Sequence, residues 1–410
     1  MLGRFMAVSA LGAALASVAC ASGVDDPLGD EVGTGGAWSA GGADDGSSER
    51  FALGSYAGAA PNWASGGDCE DECPVDHGIQ IGCKKRFMYG VNYAWSRYGS
   101  DFGGVAAWSA PGVSRTPQIY FDELTEMREA GANTIRWWVF PDFRGEGVRF
   151  DEDEMPLGLG ATTAEDLDAA LQVAEAADVY LMFCMFSFDA FRYSGDPELN
   201  YAESLGPIVR DSAKRAGLLD DVVRPIAKLV EEHPLSYRVV AWDVMNEPEW
   251  AVRGPDAYGG DGFDGKSDEF DTVTHGEMET FLAEAIQVLH EESSAPVSVG
   301  FAAAKWATAW HALDTDFHQF HMYDWIDRYW PYDSTPAELG LDDKPLVMGE
   351  FPLNGLVRAS YQEMLETWWA NGYAGALGWS YSDADFRFDD AADDVRAFAE
   401  SRSCETDYSQ

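Results

Sequence analysis

Two glutamates that follow apolar segments of the chain could together perform acid–base and nucleophilic chemistry. Glu247 follows the segment VVAWDVMN, and Glu350 follows the segment LVMG. If both segments are parallel strands of one sheet, their carboxyl ends lie at the same edge and bring the two side chains together. Glycoside hydrolysis needs such a pair, since one carboxyl group protonates the leaving oxygen and the other attacks the anomeric carbon. We therefore take Glu247 and Glu350 as candidate catalytic residues.

Further polar and aromatic side chains stand at the ends of other apolar segments, where they could assist a carboxyl pair. An Arg beside a carboxylate lowers its pKa and keeps it anionic, so Arg136 is a candidate partner of Glu350. Glu247, in contrast, has to keep its proton longer in order to act as an acid. The remaining candidates at segment ends are Asn92, Asn246, His321, Tyr323 and Trp379.

From residue 86 onward, short apolar runs alternate with amphipathic stretches, a pattern typical of repeated strand and helix units. Eight repeats predict an α/β fold, a closed (β/α)8 TIM barrel with decorated loops, in which catalytic residues lie at the carboxyl ends of the strands. An open, doubly wound sheet is the alternative, but no Gly-rich phosphate-binding motif follows any of the strands. The predicted strands are 87–92, 133–140, 179–186, 238–245, 297–301, 317–321, 346–349 and 375–379.

Six amphipathic segments between and after these strands predict the helices that would surround the barrel. They are residues 120–130, 164–177, 208–232, 275–292, 359–371 and 390–401. The connections after the fifth and sixth predicted strands are short or irregular, so a regular helix is least expected there.

Four sequence motifs occur in order along the predicted barrel, namely NTIRWW, WDVMNEPEW, HMYDW and LVMGEFP. Asn-Glu-Pro alone carries little weight because any tripeptide recurs by chance. Four motifs in this order, each at the end of an apolar segment, are a specific signal. In these motifs the chain resembles clan A of the glycoside hydrolases, most closely family five, the cellulase and β-mannanase family. The resemblance covers residues 86–400 and implies a retaining two-glutamate mechanism without a cofactor or a metal ion.

The resemblance implies the roles of the two glutamates and of the residue before the first of them. Glu247 matches the family's acid/base, and Glu350 matches its nucleophile. Asn246 matches the residue that hydrogen-bonds the sugar 2-hydroxyl group. The alternative for either glutamate is a solvated carboxylate on the barrel rim, which the motif context disfavours.

The resemblance also implies supporting roles for four other residues. Arg136 and Tyr323 match the pair that keeps the nucleophile ionised and oriented, and His321 lines the same site. Trp379 matches the aromatic platform under the reacting sugar. The alternatives are that Arg136 and His321 are structural polar groups with satisfied hydrogen bonds, and that Trp379 is part of the hydrophobic core.

A β-linked polysaccharide or oligosaccharide is the substrate that the resemblance implies, and an endo-β-1,4-mannanase is the favoured interpretation. Many family members have a His just after the third strand, whereas this chain has Phe186, Ser187 and Asp189 there. The stretch SFDAFRYSG is similar to a loop of β-mannanases. The alternatives are an endo-β-1,4-glucanase, another β-glycosidase of the clan, a transglycosylase, or a carbohydrate-binding barrel without catalysis.

Aromatic residues after several predicted strands could form sugar-stacking platforms on both sides of the cut. They are Trp95, Trp108, Trp250, Trp306, Trp310, Trp325 and Trp330. The loop of residues 253–271 after the fourth strand is long and rich in Gly and Asp, and we expect it to form a solvated lid over the cleft. Calcium bound to its carboxylates is less favoured, because the spacing does not match an EF-hand.

The first residues have the pattern of an export signal. Arg4 precedes an apolar run of signal-peptide length, so we expect residues 1–21 to be a signal peptide. The sequence SVAC at residues 17–20 resembles a bacterial lipobox, which predicts a lipid on Cys20, and ordinary secretion is the alternative. Residues 22–66 are rich in Gly, Ser and Asp and predict a disordered tether. Residues 67–404 then form the catalytic domain and residues 405–410 a tail.

The chain of 410 residues is strongly acidic, with 27 Lys and Arg against 71 Asp and Glu and a formal net charge of −44. This charge repels nucleic acid and anionic membrane surfaces. We therefore expect no nucleic-acid partner and membrane attachment only through a lipid on Cys20. Nothing in the sequence indicates a dimer, so we expect a monomer.

Four cysteines flank the folded region, and export predicts disulfides among Cys69, Cys73, Cys83 and Cys404. Four cysteines allow three pairings, which the sequence does not distinguish. A metal site built on the first three is less favoured, because an exported chain is usually oxidised. Cys184 lies inside the apolar run VYLMFCMF and is expected to be a buried, inert thiol.

Overall fold

The computed structural model describes residues 51–54, 60, 61, 63, 64, 71–193, 202 and 204–409. Within them, eight parallel strands form a closed barrel in which each strand pairs with its neighbours along the chain and the eighth returns to the first. The strands are β1 (Met88–Tyr93), β2 (Thr134–Phe140), β3 (Tyr180–Ser187), β4 (Val239–Asn246), β5 (Val297–Phe301), β6 (His318–His321), β7 (Leu346–Glu350) and β8 (Gly375–Gly378). The predicted (β/α)8 barrel is confirmed, with every strand boundary within one residue of its prediction.

The barrel strands are apolar along their whole length because both of their faces are covered. Every residue of β2, TIRWWVF, and of β3, YLMFCMFS, is buried. One face lines the barrel interior and the other packs under the helices, which is why parallel strands lack the alternation of half-exposed ones. A charged residue inside such a strand, such as Arg136 in β2 or Asp243 in β4, therefore has to find its partners in the protein interior.

The helices surround the barrel in the order that the strand–helix alternation predicts. They are α1 (Pro117–Glu129), α2 (Thr163–Ala177), α3 (Leu205–Arg210), α4 (Ser212–Leu218), α5 (Arg224–Glu231), α6 (His275–Glu292), α7 (Asp324–Asp327), α8 (Pro336–Leu339), α9 (Tyr361–Ala370), α10 (Phe388–Ser401) and α11 (Ser403–Thr406). As expected, β5 is followed by a 3-10 helix (Ala304–Trp310) and β6 by the short α7 and α8. In the described part of the chain, no helix has both the length and the apolar character that crossing a membrane requires.

The prediction of one continuous helix over residues 208–232 is wrong. The backbone is extended at Asp211, whose carboxylate accepts hydrogen bonds from the amides of Ala213 and Lys214 and so begins α4. Such an N-cap satisfies amides at the start of a helix and favours a new helix over continuation of the old one. A π-helical turn, Leu219–Val223, then joins α4 to α5.

The amino-terminal end of the barrel is closed by segments from both ends of the folded chain. A hairpin of Ile79–Ile81 and Lys84–Arg86 precedes β1. Arg86 is 1% exposed and donates hydrogen bonds to the carboxylate of Asp71 and to the main-chain oxygen of Asp407. One buried guanidinium therefore joins the segment before the barrel to the segment after it.

Residues 405–410, predicted as a tail, take part in this closure. The ring of Tyr408 is fully buried, lies 5.4 Å from the ring of Tyr180, and its hydroxyl donates to the main-chain oxygen of Ile79. Asp407 accepts a hydrogen bond from the Asn133 amide. The prediction is wrong for residues 406–408, because these side chains are buried at the open end of the barrel.

Part of the predicted tether also packs against the barrel. Phe51 stacks on Phe121 of α1 with ring centroids 5.4 Å apart, and Trp63 contacts Tyr180 at 5.9 Å. Disorder through residue 66 is therefore a wrong prediction for Phe51 and Trp63, since their rings bury apolar surface. The predicted signal peptide with Cys20 and residues 22–50, 55–59, 62, 65 and 66 of the tether lie outside the described residues.

A disulfide links the same two ends, as the cysteine count predicts. Cys73 is bonded to Cys404, with Cα atoms 5.7 Å apart and 331 residues between them in sequence. Cys83 is also disulfide-bonded, and Cys69 lies outside the described residues. The Cys73–Cys404 disulfide closes a loop that contains the whole barrel.

Replacing both Cys73 and Cys404 with Ser is expected to lower the free energy of unfolding by about 2–5 kcal/mol. The physical reason is that the disulfide restricts the unfolded chain across a separation of 331 residues. Urea unfolding without reductant, followed by fluorescence and circular dichroism, measures the difference. As a control, added reductant should lower the wild-type midpoint at least to that of the variant. An unchanged midpoint in the variant would contradict a stabilising disulfide.

Candidate active site

The structure brings the predicted site residues together near the carboxyl ends of the barrel strands, with Arg136 reaching the site from the third position of β2. Asn92, Arg136, Asn246, His321 and Glu350 lie within β1, β2, β4, β6 and β7, whereas Glu247, Tyr323 and Trp379 lie just after β4, β6 and β8. All eight are buried, from 0% exposure for Glu350 to 6% for Trp379. This is the face on which barrel enzymes carry their chemistry.

The guanidinium of Arg136 lies at the centre of the site and contacts side chains from four other strands, β1, β3, β4 and β7. Its Nη1 donates to Oδ1 of Asn92 and to Oε1 of Glu350, each at 2.7 Å. Its Nη2 donates to Oδ1 of Asn246 at 2.9 Å and to Oδ2 of Asp243 at 2.6 Å. Burial acts against the charge, but the two carboxylates raise the pKa of Arg136 above its ordinary value, so the residue stays charged.

Sequence reasoning missed Asp243, although it is the carboxylate that anchors Arg136. It is fully buried in β4 and also accepts hydrogen bonds from the amide of Gly300 and the side chain of Gln319, both at 3.0 Å. The sequence contains a signal for it, because a carboxylate inside the apolar segment VVAWDVM requires a buried partner. An Arg in another barrel strand is the natural partner.

Cys184 is the free, buried thiol that the sequence predicts. It lies in β3 under the guanidinium of Arg136, with 3.7 Å between Sγ and Nη2. Burial raises the pKa of Cys184 well above its usual value. The thiol is therefore protonated and unreactive at neutral pH.

Both carboxylate oxygens of Glu350 have donors within the site. Arg136 Nη1 donates to Oε1 at 2.7 Å, and the Tyr323 hydroxyl donates to Oε2 at 3.2 Å. Burial is the largest influence and raises the pKa of Glu350, while His321 and Arg136 act in the opposite direction. Arg136 therefore lowers the pKa of Glu350 as expected, but removal from water outweighs the nearby charge.

Glu247 adopts a left-handed backbone conformation, with φ 47° and ψ 55°, directly after β4. For a residue other than glycine this conformation is uncommon, and such strain is concentrated at functional sites. Its Oε1 lies 2.7 Å from Nδ1 of His321, and its Oε2 accepts a hydrogen bond of 2.6 Å from the indole of Trp250. Oxygens of Glu247 and Glu350 and a ring nitrogen of His321 all lie within 4.8 Å of one another.

His321 lies between the two carboxyl groups. Its Nδ1 is 2.7 Å from Oε1 of Glu247 and 3.3 Å from Oε2 of Glu350. Burial lowers the pKa of His321 to about 4, so the imidazole is neutral at neutral pH. A neutral ring nitrogen either donates or accepts a hydrogen bond, which lets Nδ1 follow the protonation of the neighbouring glutamates.

Among the described residues, Glu247, His321 and Glu350 also have donor types and spacing that could hold a metal ion. Their oxygens are already engaged, however, by the guanidinium of Arg136 and the indole of Trp250. A cation here would also be repelled by the Arg136 charge. We therefore interpret the group as a carboxyl pair with an imidazole.

Several buried polar nitrogen atoms around the carboxyl pair lack a hydrogen-bond partner. In the described part of the chain, seven buried side-chain polar atoms have no hydrogen-bond partner, and four of them belong to Trp138, Asn246, His321 and Trp325. Asn246 is oriented by Arg136, which occupies Oδ1 and leaves the NH₂ group available. An unsatisfied buried donor costs about 1–3 kcal/mol. A ligand rich in hydroxyl oxygens would remove this cost.

Trp379 belongs to a row of tryptophans along one side of the site. Its ring centroid lies 5.6 Å from that of Trp138, which lies 5.5 Å from that of Trp95. The indole of Trp379 donates to the carboxylate of Asp383 at 3.1 Å. Sequence reasoning missed Trp138, although its position two residues after Arg136 in β2 places both side chains on the same face of the strand.

Four of the predicted sugar platforms, Trp250, Trp306, Trp310 and Trp325, form what we call the tryptophan cluster. Trp250 lies between Trp306 at 5.8 Å and Trp325 at 5.7 Å. Trp306 and Trp310 are 6% and 2% exposed and both pack against Phe263. Sequence reasoning offered Trp306 and Trp310 as sugar platforms and missed that Phe263 of the loop after β4 packs on both rings.

The loop of residues 253–271, expected to be a solvated lid, is anchored to the barrel instead. Phe263 and Phe270 are each 3% exposed. Asp271 forms an ion pair with Arg210 of α3 at 2.6 Å. The lid prediction missed these contacts because the Gly and Asp content of the loop concealed its two buried aromatic residues.

Comparisons with known proteins agree with this arrangement. No protein-family model matches the chain. The chain is 25% identical over 329 residues to the mannan endo-1,4-beta-mannosidase of Mytilus edulis, which covers 72% of this chain and 84% of the relative. It is also 25% identical over 340 residues to the mannan endo-1,4-beta-mannosidase of Cryptopygus antarcticus, which covers 73% of this chain and 82% of the relative. The X-ray structure of the Mytilus edulis beta-mannanase matches with a TM-score of 0.64 and 22% identity, over 82% of this chain and 97% of that one. The resemblance to glycoside hydrolases that the four motifs indicate is confirmed.

Proposed function

We propose that the protein is a retaining glycoside hydrolase that cleaves internal β-1,4 bonds of mannan. The proposal depends chiefly on one observation, that carboxylate oxygens of Glu247 and Glu350 lie within 4.8 Å at the carboxyl end of the barrel. Retaining enzymes place the two carboxyl groups about 5–5.5 Å apart, whereas inverting enzymes need about 6.5–9.5 Å to admit a water molecule. The two relatives named mannan endo-1,4-beta-mannosidase support mannan as the substrate.

In this proposal Glu350 is the nucleophile and Glu247 is the acid/base. Glu350 attacks the anomeric carbon as the glycosidic C–O bond breaks, and the leaving oxygen takes the bond's electron pair and the proton of Glu247. Glu247, now a carboxylate, then removes a proton from water. The water oxygen bonds to the anomeric carbon, the ester to Glu350 breaks, and both carboxyl groups return to their starting states.

The supporting residues bind and orient the reacting groups. Arg136 and Tyr323 hold Glu350 by one hydrogen bond to each oxygen, so the nucleophile faces the anomeric carbon in one rotamer. Asn246 presents its free NH₂ group to the sugar 2-hydroxyl, and Trp379 provides the apolar face under the reacting sugar. His321 bridges the two carboxyl groups as a neutral ring. The reaction requires no cofactor.

Hydrolysis of mannohexaose tests the substrate and the mode of action together. The proposal predicts mannobiose and mannotriose as the main early products, because an endo-acting enzyme binds sugars on both sides of the cut. Chromatography or mass spectrometry of timed samples identifies them, with cellohexaose as the matched control for the backbone sugar. Release of mannose alone would indicate exo action, and intact mannohexaose with cleaved cellohexaose would indicate a glucanase.

We further propose that the protein acts outside the cytoplasm as a monomer. The Cys73–Cys404 disulfide supports export, because disulfides persist in oxidising compartments. A lipid on Cys20 would attach the enzyme to a membrane surface, with the acidic catalytic domain facing solvent. The same net negative charge disfavours nucleic acid as a partner.

A further inference from the structure

The indole of Trp250 contacts the proposed acid/base directly. Trp250 lies in the 3-10 turn Pro248–Ala251 that follows Glu247, and its Nε1 donates to Oε2 of Glu247 at 2.6 Å. An indole N–H is a donor and never an acceptor. Oε2 therefore serves as the acceptor in this contact and is the disfavoured place for the proton that Glu247 transfers.

The other oxygen of Glu247 points toward the nucleophile. Oε1 of Glu247 and Oε2 of Glu350 lie 2.7 Å and 3.3 Å from the same atom, Nδ1 of His321. One ring nitrogen thus bridges these two oxygens, which puts Oε1 on the side of Glu247 next to the nucleophile. Because the glycosidic bond has to lie between the two glutamates, Oε1 is the oxygen from which we expect proton transfer.

The tryptophan cluster and a buried carboxyl group hold the Trp250 indole in place. The ring lies between Trp306 and Trp325, from the loops after β5 and β6. Glu249, the residue before Trp250, is 1% exposed and accepts hydrogen bonds from the indole of Trp310 at 2.8 Å and the amide of Ala302 at 3.0 Å. Both the ring and its backbone turn are therefore fixed by contacts with neighbouring loops.

We propose that Trp250 is a positioning residue that reserves Oε1 of Glu247 as the oxygen that gives and takes the proton. This inference rests on the proposed function, because it concerns the acid/base step. It assigns to Trp250 a hydrogen bond to the acid/base in place of the sugar-stacking role that its sequence position predicts. The two steps of the proposed mechanism, formation of the ester to Glu350 and its cleavage by water, stay the same.

Trp250→Phe tests the proposal because it removes the N–H and keeps an aromatic ring. An N–H donor favours the ionised carboxyl group over the protonated one, so without it Glu247 keeps its proton to higher pH. The basic limb of the kcat/KM profile on mannohexaose should move up by about 0.5–1 pH unit. The kcat at the optimum should fall about 3–10-fold, since Oε2 then competes for the proton.

Other charged and titratable groups near Glu247 are unchanged by this substitution. They are Glu249 on the same turn, Asp243 on β4, Arg136 on β2, His321 and Tyr323 on and after β6, and Glu350 on β7. Trp242→Phe is the matched control, because the indole of Trp242 donates to the hydroxyl of Ser293 and not to Glu247. It should leave the basic limb in place. An equal shift in both variants, or none in Trp250→Phe, would overturn the proposal.

A second measurement does not depend on activity or on the folding of Trp250→Phe. In the wild-type protein labelled with ¹⁵N-tryptophan, one indole N–H resonance should move with pH and have the midpoint of the basic limb. The same resonance should be independent of pH in Glu247→Gln. If no indole signal titrates, the contact and the proposal are wrong. If an indole signal titrates but the protein cleaves no glycan, the contact between Trp250 and Glu247 is correct and the proposed function is wrong.

Discussion

Glu350→Ala is expected to reduce turnover of every glycoside by at least about 10⁴-fold, because no covalent intermediate can form without the nucleophile. The loss should be as large for dinitrophenyl β-mannoside as for mannan, since a better leaving group does not replace the attacking oxygen. Steady-state rates on both substrates measure it. Glu165→Ala, which removes a largely exposed carboxylate, is the control and should retain wild-type activity.

Glu247→Ala is expected to behave differently, and the contrast distinguishes the two roles. On mannan the rate should fall about 10²–10⁴-fold, because the leaving oxygen is no longer protonated. On dinitrophenyl β-mannoside the first step needs no acid, and added azide should restore turnover and yield β-mannosyl azide. Retained β-mannosyl azide formed by Glu350→Ala, with inverted α-mannosyl azide formed by Glu247→Ala, would show that the assignment is reversed.

Arg136→Met is expected to lower the free energy of unfolding by about 3–5 kcal/mol and to abolish activity. The substitution keeps the side-chain volume but leaves the carboxylates of Asp243 and Glu350 buried without their cation, 2.6 Å and 2.7 Å from where it stood. Urea unfolding measures the loss, and failure to fold agrees with it. In the control Arg115→Met, an ion pair with both partners 60% exposed is lost, and stability should change by less than about 1 kcal/mol. Equal, small losses in both variants would contradict a central role for Arg136.

The strands and the site positions could be predicted from the sequence because each depends on local pattern. A parallel barrel strand appears in the sequence as an apolar run. The polar residue at the carboxyl end of that run lies at the catalytic face, whatever the conformation of the loops that follow. Glu247, His321 and Glu350 were therefore selected correctly as neighbours. Their burial, and with it the raised pKa of Glu350, depends on how tightly the loops cover the site, and the sequence pattern does not contain that information.

The missed contacts concern side chains whose surroundings come from distant parts of the chain. Trp306 has the same sequence signature whether it stacks on a sugar or on Phe263, and only the path of the loop after β4 decides between them. Tyr408 looks like part of a polar tail because the cavity that it fills is built by residues some 230 and 330 positions earlier, Tyr180 and Ile79. Asp243 was the exception, since a charge in an apolar strand is a local signal.

The closure of the barrel by both ends of the folded chain has a consequence for the order of events during synthesis. A chain made from its amino terminus presents the residues of the catalytic face, Asn92 through Trp379, before Cys404 and Tyr408. When all residues of the catalytic face have been made, the opposite end of the barrel still lacks the ring of Tyr408 and the Cys73–Cys404 disulfide. The residues that close the barrel are therefore the later ones to join it, and the catalytic residues are present before the closure is made.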